Sequence, residues 1–86
     1  MKVIVILHGE DVLIDAQPDD NLAALRMRAL VAYGQASSRP VVEWEIRDAR
    51  GVYLDPAALV RDTPTIRPPG QFDGRLFLTL RVGVGA

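Results

Sequence analysis

Eighty-six residues, 49% hydrophobic and 24% charged, suffice for one packed core and exclude a second. The absence of cysteine removes thiol nucleophiles, thiolate metal sites and disulfides together, and fits a reducing cytoplasm. A formal net charge of -1 at pH 7 gives no reason to expect a nucleic-acid partner, and no apolar run is long enough for a membrane span.

In chain order, Val3, Val5 and Leu7 alternate with Lys2, Ile4 and Ile6, which predicts a strand over residues 2–8. The run is too short for a signal-peptide core and lacks a small-residue cleavage site. Gly9-Glu10-Asp11 has turn chemistry, and Val12, Ile14 and Ala16 fall in phase for a second strand over 12–16, so the two form a hairpin. Pro18 ends the pairing because it lacks the N–H a ladder needs. Asn21 is then placed to cap a helix, with Asp19 and Asp20 near the positive end of its dipole. Leu22, Leu25, Ala29 and Ala32 recur at helical spacing, Leu30, Val31 and Tyr33 widen the apolar face, and Gly34 is the stop.

Residues 35–40 read as a loop, and Val42, Trp44 and Ile46 alternate with Glu43, Glu45 and Arg47 as a third strand. Asp48 to Gly51 turns the chain, residues 52–54 form a short return strand, and 57–61 form a helical turn. Residues 63–70 hold three prolines and read as a surface loop, after which Phe72 returns to the core. In the last strand Leu76, Leu78 and Leu80 alternate with Phe77, Thr79 and Arg81, and a small-residue tail, Val82-Gly83-Val84-Gly85-Ala86, follows.

A hairpin, one helix and a last strand entering beside the first make an α+β fold of the β-grasp kind. Its mixed sheet of four to five strands packs on one helix and leaves the other face open. On that open face Ile4, Ile6, Leu13 and Phe77 project from three neighbouring strands. Four clustered apolar residues predict a contact site, for a partner enzyme or for a second copy.

Catalytic constellations are missing. His8 is the only histidine and sits beside a turn, whereas a triad or a zinc site needs partners converging in space. The pairs Glu10-Asp11 and Asp19-Asp20 are explained by turns and capping. Trp44, with apolar neighbours two residues away on one side and the other, reads as core. Gly83 and Gly85 precede no helix, so they cradle no phosphate. The residues point to a protein that is not an enzyme.

The initial hairpin, the helix entry Pro18-Asp19-Asp20-Asn21-Leu22, Gly34, Leu54-Asp55, Leu59 and the closing Leu76-Phe77-Leu78-Thr79-Leu80-Arg81 resemble ubiquitin over nearly the whole chain. Trp44-Glu45-Ile46-Arg47-Asp48 with Gly51, Phe72-Asp73-Gly74, and the final Gly83-Val84-Gly85-Ala86 are more similar still to the bacterial ubiquitin-like protein modifiers. The resemblance implies a ubiquitin-like domain over residues 1–81 and a flexible tail over 82–86. It also implies a cytoplasmic protein modifier: an E1-like activating enzyme adenylates its C-terminal carboxylate with ATP, and an E2-like conjugating enzyme passes it to target proteins. A JAB-type metallopeptidase would trim or remove it. The modifier itself then needs no cofactor, no metal, no membrane and no nucleic acid, and kinship associates such systems with antiphage defence.

Arg81 lies where ubiquitin carries an arginine read by its activating enzyme, and Val82, Gly83 and Val84 lead from it to the terminus. Matching Leu80-Arg81-Val82 to ubiquitin puts Gly85 on the final glycine and leaves Ala86 one residue beyond. Either Ala86 is trimmed to free Gly85, or Gly85-Ala86 is itself the working end, and Val84 stands where a glycine is expected. Nine of the ten basic residues are arginine, which stays protonated and does not attack an activated carboxylate. Chains of modifiers could therefore link only through Lys2, the N-terminal amine or a hydroxyl. Two other functions share the fold: a non-covalent binding module of the secretion-system kind, with an idle tail, and a sulfur carrier, which the ending Gly85-Ala86 fits least.

Overall fold

Residues 2–34, 43–63 and 75–80 are described by the computed structural model. They form β1 (Lys2–Leu7), β2 (Glu10–Asp15), α1 (Leu22–Tyr33), β3 (Trp44–Arg47), a short 3-10 helix (Val60–Asp62) and β4 (Arg75–Leu80). The four strands make one mixed sheet in the order β2-β1-β4-β3, with β1 parallel to β4 and the other neighbours antiparallel. One helix packed on a mixed four-stranded sheet is compatible with the expected β-grasp. The expected loop over 35–40 and all but Thr63 of the one over 63–70, together with Val42, Phe72, Arg81 and the tail 82–86, lie outside the described residues, and Thr63 is buried rather than on the surface.

The first hairpin is tighter than its sequence suggests. Leu7 pairs with Glu10, so the connection is only His8-Gly9, and both have positive φ, 49° and 78°. This is the backbone that a two-residue hairpin requires to match strand twist, and histidine is among the side chains that tolerate it. His8 therefore belongs to the turn and not to β1, while Glu10 and Asp11 belong to β2. Because the side-chain period is two, Val12 and Ile14 still face the core as expected, with Ala16 buried just beyond the strand.

Asn21 caps α1 as its sequence position predicts: its backbone is extended and its side-chain oxygen accepts from Ala24 N at 2.8 Å. Gly34 closes the helix with φ 87°, donating to Leu30 O at 2.9 Å and Val31 O at 3.1 Å. The buried stripe is Leu22, Leu25, Ala29 and Leu30. Ala32 and Val31 are exposed, which corrects the expected stripe: the helix turns its last core contact through Leu30 toward Tyr33. Replacing Asn21 by alanine is expected to cost about 1 kcal/mol of unfolding free energy, read from the urea midpoint, with Asn21→Ser recovering most of it.

The helix start is also held from a distance. Leu22 N donates to Ala58 O and Ala23 N to Pro56 O, both at 2.9 Å, while Val60 N and Arg61 N donate back to Asp20 O and Pro18 O. Asp20 pairs with Arg28 at 2.7 Å and accepts from Gln17 N, and Asp19 pairs with Arg61. Asp19 thus ties the helix entry to the 3-10 helix, while Asp20 is held by Gln17 N in the entry and by Arg28 of the same helix. Residues 52–54 form no strand: they return against β3 through a single bridge, Arg47 with Tyr53. The expected helical turn over 57–61 becomes a turn followed by the 3-10 helix, where the Thr63 hydroxyl donates to Leu59 O at 2.7 Å.

Asp48 organises the turn after β3. Its carboxylate accepts from Val52 N at 2.9 Å and Arg50 N at 2.8 Å, and these bonds, with the Arg50 charge, hold it below the ordinary 3.8. Asp20 is lowered by Arg28 and then by the Gln17 N–H, and Asp15 by Lys2. A carboxyl depressed in the folded state contributes stability that is complete above its unfolded value and lost as pH falls through the folded one. The melting temperature is therefore expected to fall on acidification below about pH 4, and Asp48→Asn, which keeps an acceptor oxygen, to make that fall shallower.

Candidate functional site

The helix covers the face carrying Val3, Val5, Leu7, Ile14, Trp44, Ile46, Leu76 and Leu78, all buried. The pleat sends the intervening residues to the opposite face, which no helix among the described residues covers. There the register sets Ile4 between Leu13 on β2 and Arg75 on β4, and sets Ile6 between Asp11 on β2 and Phe77 on β4. Phe77 in turn lies opposite Arg47 on β3, which bridges to Tyr53. Ile4, Ile6, Leu13 and Phe77 are thus brought into one cluster across three strands. Leu13 is 61% exposed at the edge strand, and the other three are partly buried.

Charges rim the cluster. Lys2 Nζ lies 2.6 Å from Asp15 Oδ1 at one corner. Arg47 Nη2 lies 2.6 Å from Glu45 Oε1 at another and its Nη1 donates to Gly51 O at 2.8 Å. The third strand therefore presents a closed ion pair, with Thr79 exposed beside it. Asp11 and Arg75 form no ion pair among the described residues. Neither they nor Tyr53 stood out in the sequence, because their places on this face depend on the turn length and on the strand order. The signal for Asp11 was the His8-Gly9 pair, which shortens the loop to two residues.

At the hairpin end of the sheet His8 lies on Tyr33 and Trp44, with ring centroids 6.0 Å and 5.5 Å away and the second contact edge-on. Burial first, and then the Glu10 carboxylate, push the Tyr33 phenol above its ordinary 10.0. A depression of about 370 Å³ opens beside this group, lined by Ile6, His8, Trp44, Phe77 and Leu80 among others. Trp44 is in the core as its spacing predicts, but its indole N–H is buried without a hydrogen-bond partner.

Lys2, the candidate linkage amine, has a side chain 62% exposed and held by Asp15. The candidate conjugation terminus, Gly85 and Ala86, and the recognition stretch Arg81, Val82, Gly83 and Val84 lie outside the described residues. Among the described residues, no group of three or more histidine, cysteine or acidic side chains could hold a metal, and no helix is long and apolar enough to cross a membrane.

An uncharacterized protein of Sinorhizobium fredii, y4jI, is 30% identical over 84 residues, 98% of this chain. The chain spans 60% of that relative's length. A family model described as a protein of unknown function, DUF2604, matches residues 1–86, and the chain belongs to that family.

Proposed function

We propose that the chain is a ubiquitin-like protein modifier with a ubiquitin-like β-grasp, joined to target proteins through a carboxylate at the end of residues 82–86. The observation that carries the reading is the place of β4. It is an inner strand, parallel to β1 and antiparallel to β3, and only Arg81 separates its last residue, Leu80, from the glycine-containing segment. Pairing with β1 as far as Leu78 and with β3 as far as Leu80 fixes where the strand ends, while glycines allow close approach to an enzyme's nucleotide site.

The chemistry asks little of the modifier. A carboxylate oxygen, of Gly85 after trimming or of Ala86, attacks the α-phosphorus of ATP and pyrophosphate leaves. An amine attacks the acyl adenylate to form the amide as AMP leaves, or a carrier enzyme's thiol attacks first to form a thioester as AMP leaves, and the amine then forms the amide and frees the thiol. An E1-like enzyme, an E2-like enzyme and a peptidase supply the catalytic groups. A second reading, a non-covalent binding module, is supported by the apolar cluster of Ile4, Ile6, Leu13 and Phe77 on the uncovered face.

ATP–pyrophosphate exchange by an activating enzyme encoded beside this chain separates the two, using chains that end at Ala86, Gly85 and Val84. Exchange with the Gly85 form alone makes trimming obligatory, and exchange with the Ala86 form makes Gly85-Ala86 the working end. No exchange with any form overturns the modifier reading in favour of the binding module.

A further inference from the structure

We propose that the uncovered sheet face is where two copies of this chain pair, face to face across a two-fold axis. The proposal does not depend on the tail or on its chemistry. Four residues surround the central pair Ile4 and Ile6: Leu13 and Asp11 on the β2 side, Arg75 and Phe77 on the β4 side. Leu13 and Phe77 occupy one diagonal of this parallelogram, Asp11 and Arg75 the other, and both diagonals cross between Ile4 and Ile6. A dyad in the plane of the sheet through that crossing, perpendicular to the charged diagonal, lays Asp11 of each copy on Arg75 of the other. The same operation lays Leu13 of one copy beside Leu13 and Ile4 of the other, and Phe77 beside Phe77 and Ile6.

An isologous contact needs a surface complementary to itself, and this one is. Its apolar centre lies at the midpoint of its only two unpaired, opposite charges among the described residues, while the remaining charges on the face, Lys2 with Asp15 and Arg47 with Glu45, are already neutralised in place. A partner of one strong charge would find no net field here to hold it. Four strands about 4.8 Å apart and about six residues long make a face of roughly 20 Å by 20 Å. This is at the small end for specific interfaces, so the dimer is weak, with a dissociation constant on the order of 0.1 mM.

Sedimentation equilibrium of the full chain from about 10 µM to 1 mM tests the proposal, with far-UV circular dichroism melts establishing that each variant is folded. The native chain is expected to dimerise. Asp11→Arg sets arginine against Arg75 twice in each dimer, and Arg75→Asp sets aspartate against Asp11 twice. Each alone is expected to weaken association at least tenfold. An equimolar mixture of the two variants restores both pairs, because one copy then carries two arginines and the other two aspartates, and a heterodimer of near-native affinity is expected. Ile6→Glu is expected to abolish association in every combination. A chain monomeric throughout the range, or a dimer indifferent to the charge substitutions, overturns the proposal, as does a mixture that stays monomeric.

Discussion

Replacing Trp44 by alanine is expected to remove about 3–5 kcal/mol of unfolding free energy, as read from urea denaturation followed by far-UV circular dichroism. Trp44 is 2% exposed and is the largest buried side chain among the described residues. It fills the space between β3 and the helix, where Arg26 donates to its carbonyl at 3.0 Å and His8 closes over its ring. A domain of this size has only about 4–13 kcal/mol in total, so the variant stands at the edge of folding. Trp44→Phe is expected to lie within about 1 kcal/mol of the native chain. Phenylalanine leaves a smaller void, and it removes an indole N–H that is buried without a partner. An unchanged midpoint for Trp44→Ala would mean that this ring is not packed in the core.

Ending the chain at Arg81 is expected to abolish adenylation altogether, a loss of at least a thousandfold in ATP–pyrophosphate exchange, while leaving the melting temperature within about 2 °C of the native value. The asymmetry follows from where the core lies. Every buried hydrophobic side chain among the described residues falls between Val3 and Leu78, and the truncated chain keeps all of them. The proposed role of residues 82–86 is to carry a carboxylate to a reacting phosphorus, and the carboxylate of Arg81, with the glycine-containing segment gone, lacks the reach to replace it. The same truncated chain retains Asp11, Arg75 and the apolar cluster, and its self-association is expected to stay unchanged. Loss of exchange together with loss of the dimer would tie the two surfaces to one function; retained exchange would remove the tail from the mechanism.

Much of the fold was legible in single residues. Pro18 and Asn21 placed the helix start and Gly34 its end, because a missing N–H, a capping oxygen and a left-handed backbone are local requirements. The core faces of β1 and β4 followed from strict alternation, and Trp44 with Ile46 from the same rule. The hairpin was misplaced by a residue or two because a histidine with positive φ is not announced by its type. Residues 52–54 looked like a strand from composition, yet only Tyr53 is bridged to β3. The helix stripe was misjudged at Ala32, where small size made either face acceptable to the pattern.

What the sequence by itself determined is therefore periodic or terminal: which residues face inward along each strand and helix, and where each element stops. These depend on contacts within a few residues, and the chain encodes them one neighbourhood at a time. Only the tertiary structure decided what lies beside what. The clamp of residues 56–61 on the helix start, the ion pair of Asp19 with Arg61, and the placing of Asp11 and Arg75 around the expected cluster of Leu13, Ile4, Ile6 and Phe77 join segments far apart in the chain. Their placement required the strand order β2-β1-β4-β3 and a parallel pairing closed across most of the chain's length. Such pairings are fixed by the burial of the whole core at once, and no single stretch of sequence carries that information.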